Sequence, residues 1–382
     1  MSKKIIILPA EYPTKDNPLA GIFTKDQVNM FANNGYDVTV IYNYFISLKK
    51  INFKNLSNLF CKRKIKKSDN ITEITHSLFS TFFHYLKLQL DYYLTKKVLI
   101  DYISKKGKPD LIICHFAFPT GHTAKRIFEE FNIPYIVVEH STGYFTGLYN
   151  SFQINIIKKA LNHSLLVIAV SNFLKKKLIK LTNTKILTIG NIVDEKFFLF
   201  KKKRINKKKL TFLIISELVK KKQVLELVKV FEKLRDENIK FQLKIVGDGP
   251  EYSRILNYVL KNNMEKNILI LGIKNKVEIS NFLDETDYLI SCSKVETFGI
   301  TIAESIAKGV PAIVLNSGGP KDFINKSNSY SVNSFDNLKN KIKEITHKPK
   351  KFDRKKMNSF IYNKFSEKIL IKKYNKLIDE II

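Results

Sequence analysis

Short apolar runs alternate with longer amphipathic stretches along the whole chain. In the first half the runs are Ile5–Leu8, Val38–Tyr42, Leu111–Cys114, Tyr135–Val138 and Leu165–Val170. In the second half they are Phe212–Ile215, Gln242–Val246, Ile268–Leu271, Tyr288–Ser291 and Ala312–Leu315. Each reads as a buried strand, and the stretches between them have helical length. Such alternation predicts open parallel α/β sheets, and its repetition predicts two Rossmann-like domains in series. We place the first at 1–193 and the second at 194–362. A linker over Asp194–Leu210 carries the charge runs Lys201–Arg204 and Lys207–Lys209. Phe352–Ile382 has helical spacing throughout. In sheets of this kind ligands bind beyond the carboxyl ends of the strands, here expected in a cleft between the domains.

At 382 residues the chain is long enough for two full cores. No apolar run reaches 18 residues, so no transmembrane helix is expected. Met1–Pro9 opens basic, but its apolar run is too short for a secretory leader. Three cysteines, Cys61, Cys114 and Cys292, are scattered and suggest neither a disulfide framework nor a zinc site, which fits a reducing cytoplasm. The seven His form no metal-binding motif, so no metal is expected.

The formal net charge of +31 raises the question of nucleic acid. Residues 1–190 hold 27 basic against 12 acidic side chains, and residues 191–382 hold 39 against 23, so the excess is spread evenly. Only six of the basic residues are Arg, the usual choice for bidentate phosphate and base contacts. Nucleic acid is therefore not the expected partner. One region is more suggestive. Phe53–Lys67 carries Lys54, Lys62, Arg63, Lys64, Lys66 and Lys67. His76–Tyr102 carries Phe79, Phe82, Phe83, Leu86, Leu90, Tyr93 and Leu94 among scattered Lys. A basic, aromatic, amphipathic stretch suits an anionic bilayer; a core helix beside a solvated loop is the alternative.

The chemistry gathers in Asp287–Pro311. A strand over Tyr288–Ile290 leads through Lys294–Gly299 into a helix over Ile300–Lys308, with Gly309 and Pro311 ending it. A strand-to-helix turn of this kind aims unpaired amides above the sheet, where a phosphate can take them. Glu296 and Glu304 bracket the turn. Carboxylates beside an anion site make sense if they reach for hydroxyls, and a sugar nucleotide offers both phosphates and hydroxyls.

The string Glu-Thr-Phe-Gly-Ile-x-x-x-Glu-Ser-x-Ala-x-Gly resembles the Glu-x7-Glu motif of retaining glycosyltransferases, in particular glycosyltransferase family 4 with the GT-B fold. The resemblance runs over nearly the whole chain. It takes in Gly21-Ile22-Phe23 and Gly35–Val40 near the start, His115–Gly121 and Ile133–Ser141, and Val167–Leu174. In the second half it takes in Val246–Glu251, Leu271-Gly272-Ile273 and Asn316–Asp322. At Ser216–Gln223 the chain departs from the family's Gly-Arg-Leu-x-x-x-Lys-Gly: Glu217 stands at the Arg position, Ser216 and Gln223 replace the glycines, and Lys222 is kept.

The resemblance implies two Rossmann-like domains facing each other across a cleft, with a last helix, about 363–382, crossing back to the first. It implies transfer of a sugar, with retention, from a nucleotide-diphospho-sugar to a saccharide or lipid-linked acceptor, without metal or other cofactor. Surface polysaccharide, lipopolysaccharide or glycolipid synthesis is the expected process. Glu296 would contact the sugar and Glu304 the ribose. Amides of Phe298, Gly299 and Ile300 would hold sugar or phosphate, and Lys222 the diphosphate. His140 would contact the transferred sugar or phosphate, Gly21 would admit a phosphate, and Gly272 and Ile273 would face the base. Two alternatives share the fold: a nucleotide-sugar epimerase, and a degenerate subunit that partners an active enzyme.

Overall fold

The structure is a computed structural model and describes residues 2–14, 17–46, 62–79, 84–199 and 209–382. Residues 200–208 of the linker, residues 53–61 of the basic stretch Phe53–Lys67 (Lys54 and Cys61 among them) and the aromatic pair Phe82 and Phe83 lie outside the described residues.

The chain divides into two compact units, one of Met1–Ile192 with Leu370–Ile382, the other of Val193–Ile369. The first unit holds β1 (Lys4–Pro9), β2 (Asp37–Ile46), β3 (Lys62–Ser68), β4 (Ile71–Phe79), β5 (Leu111–His115), β6 (Tyr135–Glu139), β7 (Leu166–Ala169) and β8 (Ile186–Thr188). Among the described residues they form one sheet in the order β3-β4-β2-β1-β5-β6-β7-β8. Only β3 runs antiparallel, on β4. The central strands β1, β5, β6 and β7 are covered on both faces, which is why their sequences are continuously apolar instead of alternating.

The second unit holds β9 (Leu210–Ile215), β10 (Phe241–Val246), β11 (Ile268–Ile270), β12 (Tyr288–Ser291), β13 (Ala312–Leu315) and β14 (Ser329–Val332). Their order is β11-β10-β9-β12-β13-β14, with every pairing parallel. The order reverses between β9 and β12, the kind of switch point at which open sheets leave room for a ligand.

Four strands carry no clear apolar signature. β3 (KRKIKKS) is an edge strand, and lysines on an edge discourage pairing with other chains. β14 (SYSV) and β8 (ILT) are short outer strands. β4 corrects the sequence reading of His76–Tyr102 as one stretch: His76–Phe79 ends a strand, and a separate helix runs from His84 to Lys106. The β-branched residues of ITEITHSLF favour the strand.

The C-terminal segment is two helices, Arg354–Phe365 and Glu367–Ile381, separated at Ser366, whose backbone is extended. In the first unit the last helix buries Leu370, Tyr374 and Ile378 against the core, and Gln27 donates to the Tyr374 hydroxyl at 2.6 Å. No helix among the described residues is long and apolar enough to cross a membrane.

Candidate functional site

In the second unit five loops leave the carboxyl ends of the strands and are tied together by backbone hydrogen bonds. Ser216 N donates to Val246 O at 3.0 Å, Leu218 N to Asp248 O at 2.8 Å and Gly247 N to Gly272 O at 2.9 Å. Lys294 N donates to Lys221 O at 2.9 Å, Glu296 N to Ser317 O at 2.8 Å and Gly319 N to Glu296 O at 2.8 Å. The loops after β9, β10, β11, β12 and β13 are thus one platform.

Lys222 ends a short 3-10 turn over Lys220–Lys222. Its ammonium is paired with Glu296 Oε1, and Ser293 Oγ donates to the same oxygen at 2.7 Å. Both partners are largely covered, with 19% and 17% of their side chains exposed. The cation and the first carboxylate of the motif therefore neutralise one another. Next in the chain, Gln223 starts the helix Val224–Asp236 at φ 53°, a left-handed backbone that side chains other than Gly adopt at a cost. That is a physical reason for glycine at this position in the pattern the chain resembles. Glu217 is exposed and makes no ion pair among the described residues.

The turn from β12 to the helix Ile300–Ala307 pivots on Gly299, at φ 86°. A Cβ there would lie 2.8 Å from Pro320 Cγ, so the position admits only glycine. The amides of Ile302 and Ala303 are spent on Gly299 O. Those of Phe298, Gly299 and Ile300 make no hydrogen bond to the described residues and form the donor end of the turn. The Phe298 ring is core, packed against Phe323 at 5.3 Å and Phe365 at 5.0 Å, so only its backbone can serve a ligand. Glu304 sits nearly buried on the second turn of the helix. Gly272 has φ 68° and open space about its Cα, and Ile273 beside it is half exposed.

The first unit carries a second constellation. Glu139, at the end of β6, is fully buried. It accepts from the amides of Ala117, His140 and Ser141 and from the Tyr144 hydroxyl, each at 2.8 Å. Burial pushes its carboxyl pKa up, and these four donors oppose the shift. One carboxyl group thus fixes both the loop after β5 and the loop after β6. His115 ends β5 and His140 follows β6, with His115 Nδ1 3.0 Å from His140 Nε2 and the rings stacked at 12°. Burial holds the His115 pKa down at about 3 and that of His140 well below its ordinary value, so the pair is neutral near pH 7. Phe23, at the start of the helix Ile22–Asn33, packs on His140 with centroids 4.3 Å apart. Gly21 precedes it at φ 59°, and a Cβ there would meet Glu11 O at 2.0 Å.

The platform thus brings Lys222, Glu296, Phe298, Gly299, Ile300, Gly272 and Ile273 onto the strand ends of one sheet. His140 and Gly21 stand on the strand ends of the other. Sequence reasoning gave no role to His115, Glu139, Phe23 or Ser293. The signal for His115 was its place inside a matched segment, one residue beyond the strand Leu111–Cys114 expected from sequence. Among the described residues no group of three His, Cys, Asp or Glu could hold a metal ion.

Two family models match the chain. "Glycosyltransferase Family 4" covers residues 20–197, and "Glycosyl transferases group 1" covers residues 195–366. The chain is 29% identical over 234 residues to the N-acetyl-alpha-D-glucosaminyl L-malate synthase of Bacillus anthracis, a match spanning 58% of this chain and 60% of that one. It thus takes in less than two thirds of that relative's length. Identity is 24% over 343 residues to the putative teichuronic acid biosynthesis glycosyltransferase of Bacillus subtilis, 85% of this chain and 83% of that one. Among solved structures, the sucrose-phosphate synthase from Thermosynechococcus elongatus aligns over 99% of both chains with a TM-score of 0.78 at 15% identity, a likeness of fold.

Proposed function

The chain belongs to the glycosyltransferases of the GT-B fold, family 4 in its first half and group 1 in its second, and from that premise we propose its reaction. It moves a hexose-type sugar, with retention, from a nucleotide-diphospho-sugar to a saccharide or lipid-linked acceptor in surface polysaccharide, lipopolysaccharide or glycolipid synthesis. The observation that carries this reading is a turn with three unspent amides, those of Phe298, Gly299 and Ile300, set between Glu296 on the loop platform and Glu304 on the helix that follows.

In this reading the diphosphate takes the amides of Phe298, Gly299 and Ile300 and the ammonium of Lys222. Glu296, released from Lys222, accepts from sugar hydroxyls, and Glu304 from the ribose. As the bond from sugar C1 to the phosphate oxygen breaks, negative charge grows on the leaving diphosphate, where the amides and Lys222 stabilise it. The acceptor oxygen bonds to C1 on the same face, and its proton passes to a phosphate oxygen of the leaving group. Neutral His140, held by His115 and Glu139, keeps the strand ends of the first unit free of added charge. No metal is assigned a part. The protein works in the cytoplasm, where such donors are made, against an acceptor that is itself at the membrane.

One observation favours a second reading. With Glu217 at the usual Arg position and Gln223 in a strained backbone, the chain could serve as a subunit that no longer transfers. The test is a thermal-shift panel of UDP-, GDP- and ADP-sugars, followed by donor hydrolysis and NMR assignment of the anomeric product. Stabilisation by one donor with hydrolysis supports transfer. Stabilisation without hydrolysis or transfer supports the subunit, product sugar without acceptor an epimerase, and no stabilisation refutes the donor site.

A further inference from the structure

The helix His84–Lys106 has an inner face of the usual kind, with Leu88, Tyr92, Thr95, Leu99 and Tyr102 buried. Its outer face departs from the polar surface expected of such a helix. Leu86, Tyr93 and Ile100 follow one another at seven-residue spacing and are 50%, 60% and 50% exposed. Tyr85 beside them is exposed as well. Three large apolar side chains in line along four turns make a stripe and not a scatter.

Charge around the stripe has one sign in excess. Lys97 lies on the outer face, and Arg63 of β3 reaches Asp101 of the helix at 3.4 Å, which places the basic edge strand alongside. Lys64, Lys66 and Lys67 of that strand are exposed, with Ile65 among them 51% exposed. The acids in reach are already matched: Asp101 by Arg63 and Lys105, and Glu130 by Lys96. Lys64, Lys67 and Lys97 have no ion pair among the described residues.

We infer that this face docks on an anionic lipid bilayer, with the apolar stripe entering the acyl boundary and the surrounding lysines meeting the headgroups. A second copy of the chain is disfavoured, because pairing this face with itself would set lysine against lysine. Aliphatic Leu86 and Ile100 gain nothing against a nucleic-acid backbone, whereas a bilayer takes apolar and basic groups together. The inference stands apart from the reading of the donor site, since it rests on other residues and is tested by binding.

The chain contains no tryptophan, so Tyr93→Trp supplies a single reporter on the stripe. The intact protein is mixed with vesicles of phosphatidylcholine alone and of phosphatidylcholine with about 30% phosphatidylglycerol. The expected result is a blue-shifted emission, quenched by brominated acyl chains, on the anionic vesicles only, with binding that weakens as salt is raised. Replacing Leu86, Tyr93 and Ile100 together by Ser should lower sedimentation with anionic vesicles at least tenfold, with circular dichroism and melting unchanged. Replacing Lys64, Lys67 and Lys97 by Gln should also lower it and flatten the salt dependence. Sedimentation by the triple Ser variant equal to wild type would overturn the inference, as would an emission blind to vesicles. A stripe-dependent dimer in light scattering, or stripe-dependent RNA binding without vesicle binding, would overturn it in favour of another occupant.

Discussion

Lys222 and Glu296 lie 74 positions apart, yet in the folded protein each is the other's counter-ion. The β9 and β12 strands that carry their loops are neighbours in the sheet. The partner also sets what an incoming anion must do. In the proposed reaction, a phosphate that takes Lys222 frees Glu296 to accept from hydroxyls of the transferred sugar, which a nucleoside diphosphate lacks.

Glu296→Gln should therefore separate two affinities. Without the competing charge, Lys222 is freer for phosphate, and a nucleoside diphosphate lacking its sugar should bind about fivefold tighter, ~1 kcal/mol. Transfer should fall at the same time. Calorimetry with the bare diphosphate and kinetics with the intact donor measure the two; weaker binding of the bare diphosphate would count against the exchange.

Lys222→Ala should reduce turnover at least about a hundredfold, ~2.7 kcal/mol, as for loss of a preorganised donor to the leaving group. Lys220→Ala and Lys221→Ala should cost far less, because both side chains are exposed. Steady-state kinetics of the three variants, folding checked by circular dichroism, provide the comparison. Three variants near wild type would place the diphosphate elsewhere.

Glu304→Gln keeps the size of a nearly buried side chain and removes its charge. Donor affinity should drop about tenfold, ~1.4 kcal/mol, within the range for a charged hydrogen bond. An unchanged dissociation constant for the preferred nucleotide sugar would remove Glu304 from the ribose.

Gln223→Gly relieves the left-handed backbone at φ 53° and should stabilise the protein by about 0.5–1 kcal/mol, after the added chain entropy of glycine is counted. The urea midpoint reads this directly, and a midpoint that falls would show that the glutamine side chain holds more than its backbone costs.

His115 gives a pH signature. Its folded pKa of about 3 lies below the ordinary 6.5, so the unfolded chain binds the proton more readily. The stability it contributes is complete above pH 6.5 and is lost as pH falls toward about 3. Between pH 7 and pH 5 the loss from this one group is about 2 kcal/mol. His115→Asn should shrink the acid sensitivity by that amount in paired urea titrations; equal slopes for both proteins would mean that the imidazole is not held neutral by burial.

The strands that sequence made legible are those covered on both faces, such as Ile5–Leu8 and Leu111–Cys114, where every position is apolar. The strands it hid lie at or next to a sheet edge. β3 has one apolar residue in seven and is a strand because β4 offers it an edge. In the second unit, spacing was enough to single out Glu296, Glu304 and the turn at Gly299, since those residues are close in sequence. That Lys222 pairs with Glu296 was not legible, because it depends on the order of strands in the sheet. His115 and His140 meet for the same reason: β5 and β6 are neighbours, in a register that sets His115 opposite Val138. The backbone cost at Gln223 is invisible to composition and appears only with its φ.

The first unit closes with residues made long after the rest of it. Its core includes Leu370, Tyr374 and Ile378, while the whole of Val193–Ile369 lies between them and residue 192. On the ribosome, the second unit is a single continuous stretch and can collapse as it emerges. The first must wait, with the place of Tyr374 beside Phe31 and Gln27 unfilled, until translation has passed through the other unit entirely. The helix that completes it also sets the order of assembly: the Val193–Ile369 unit first, the His115–His140 unit last.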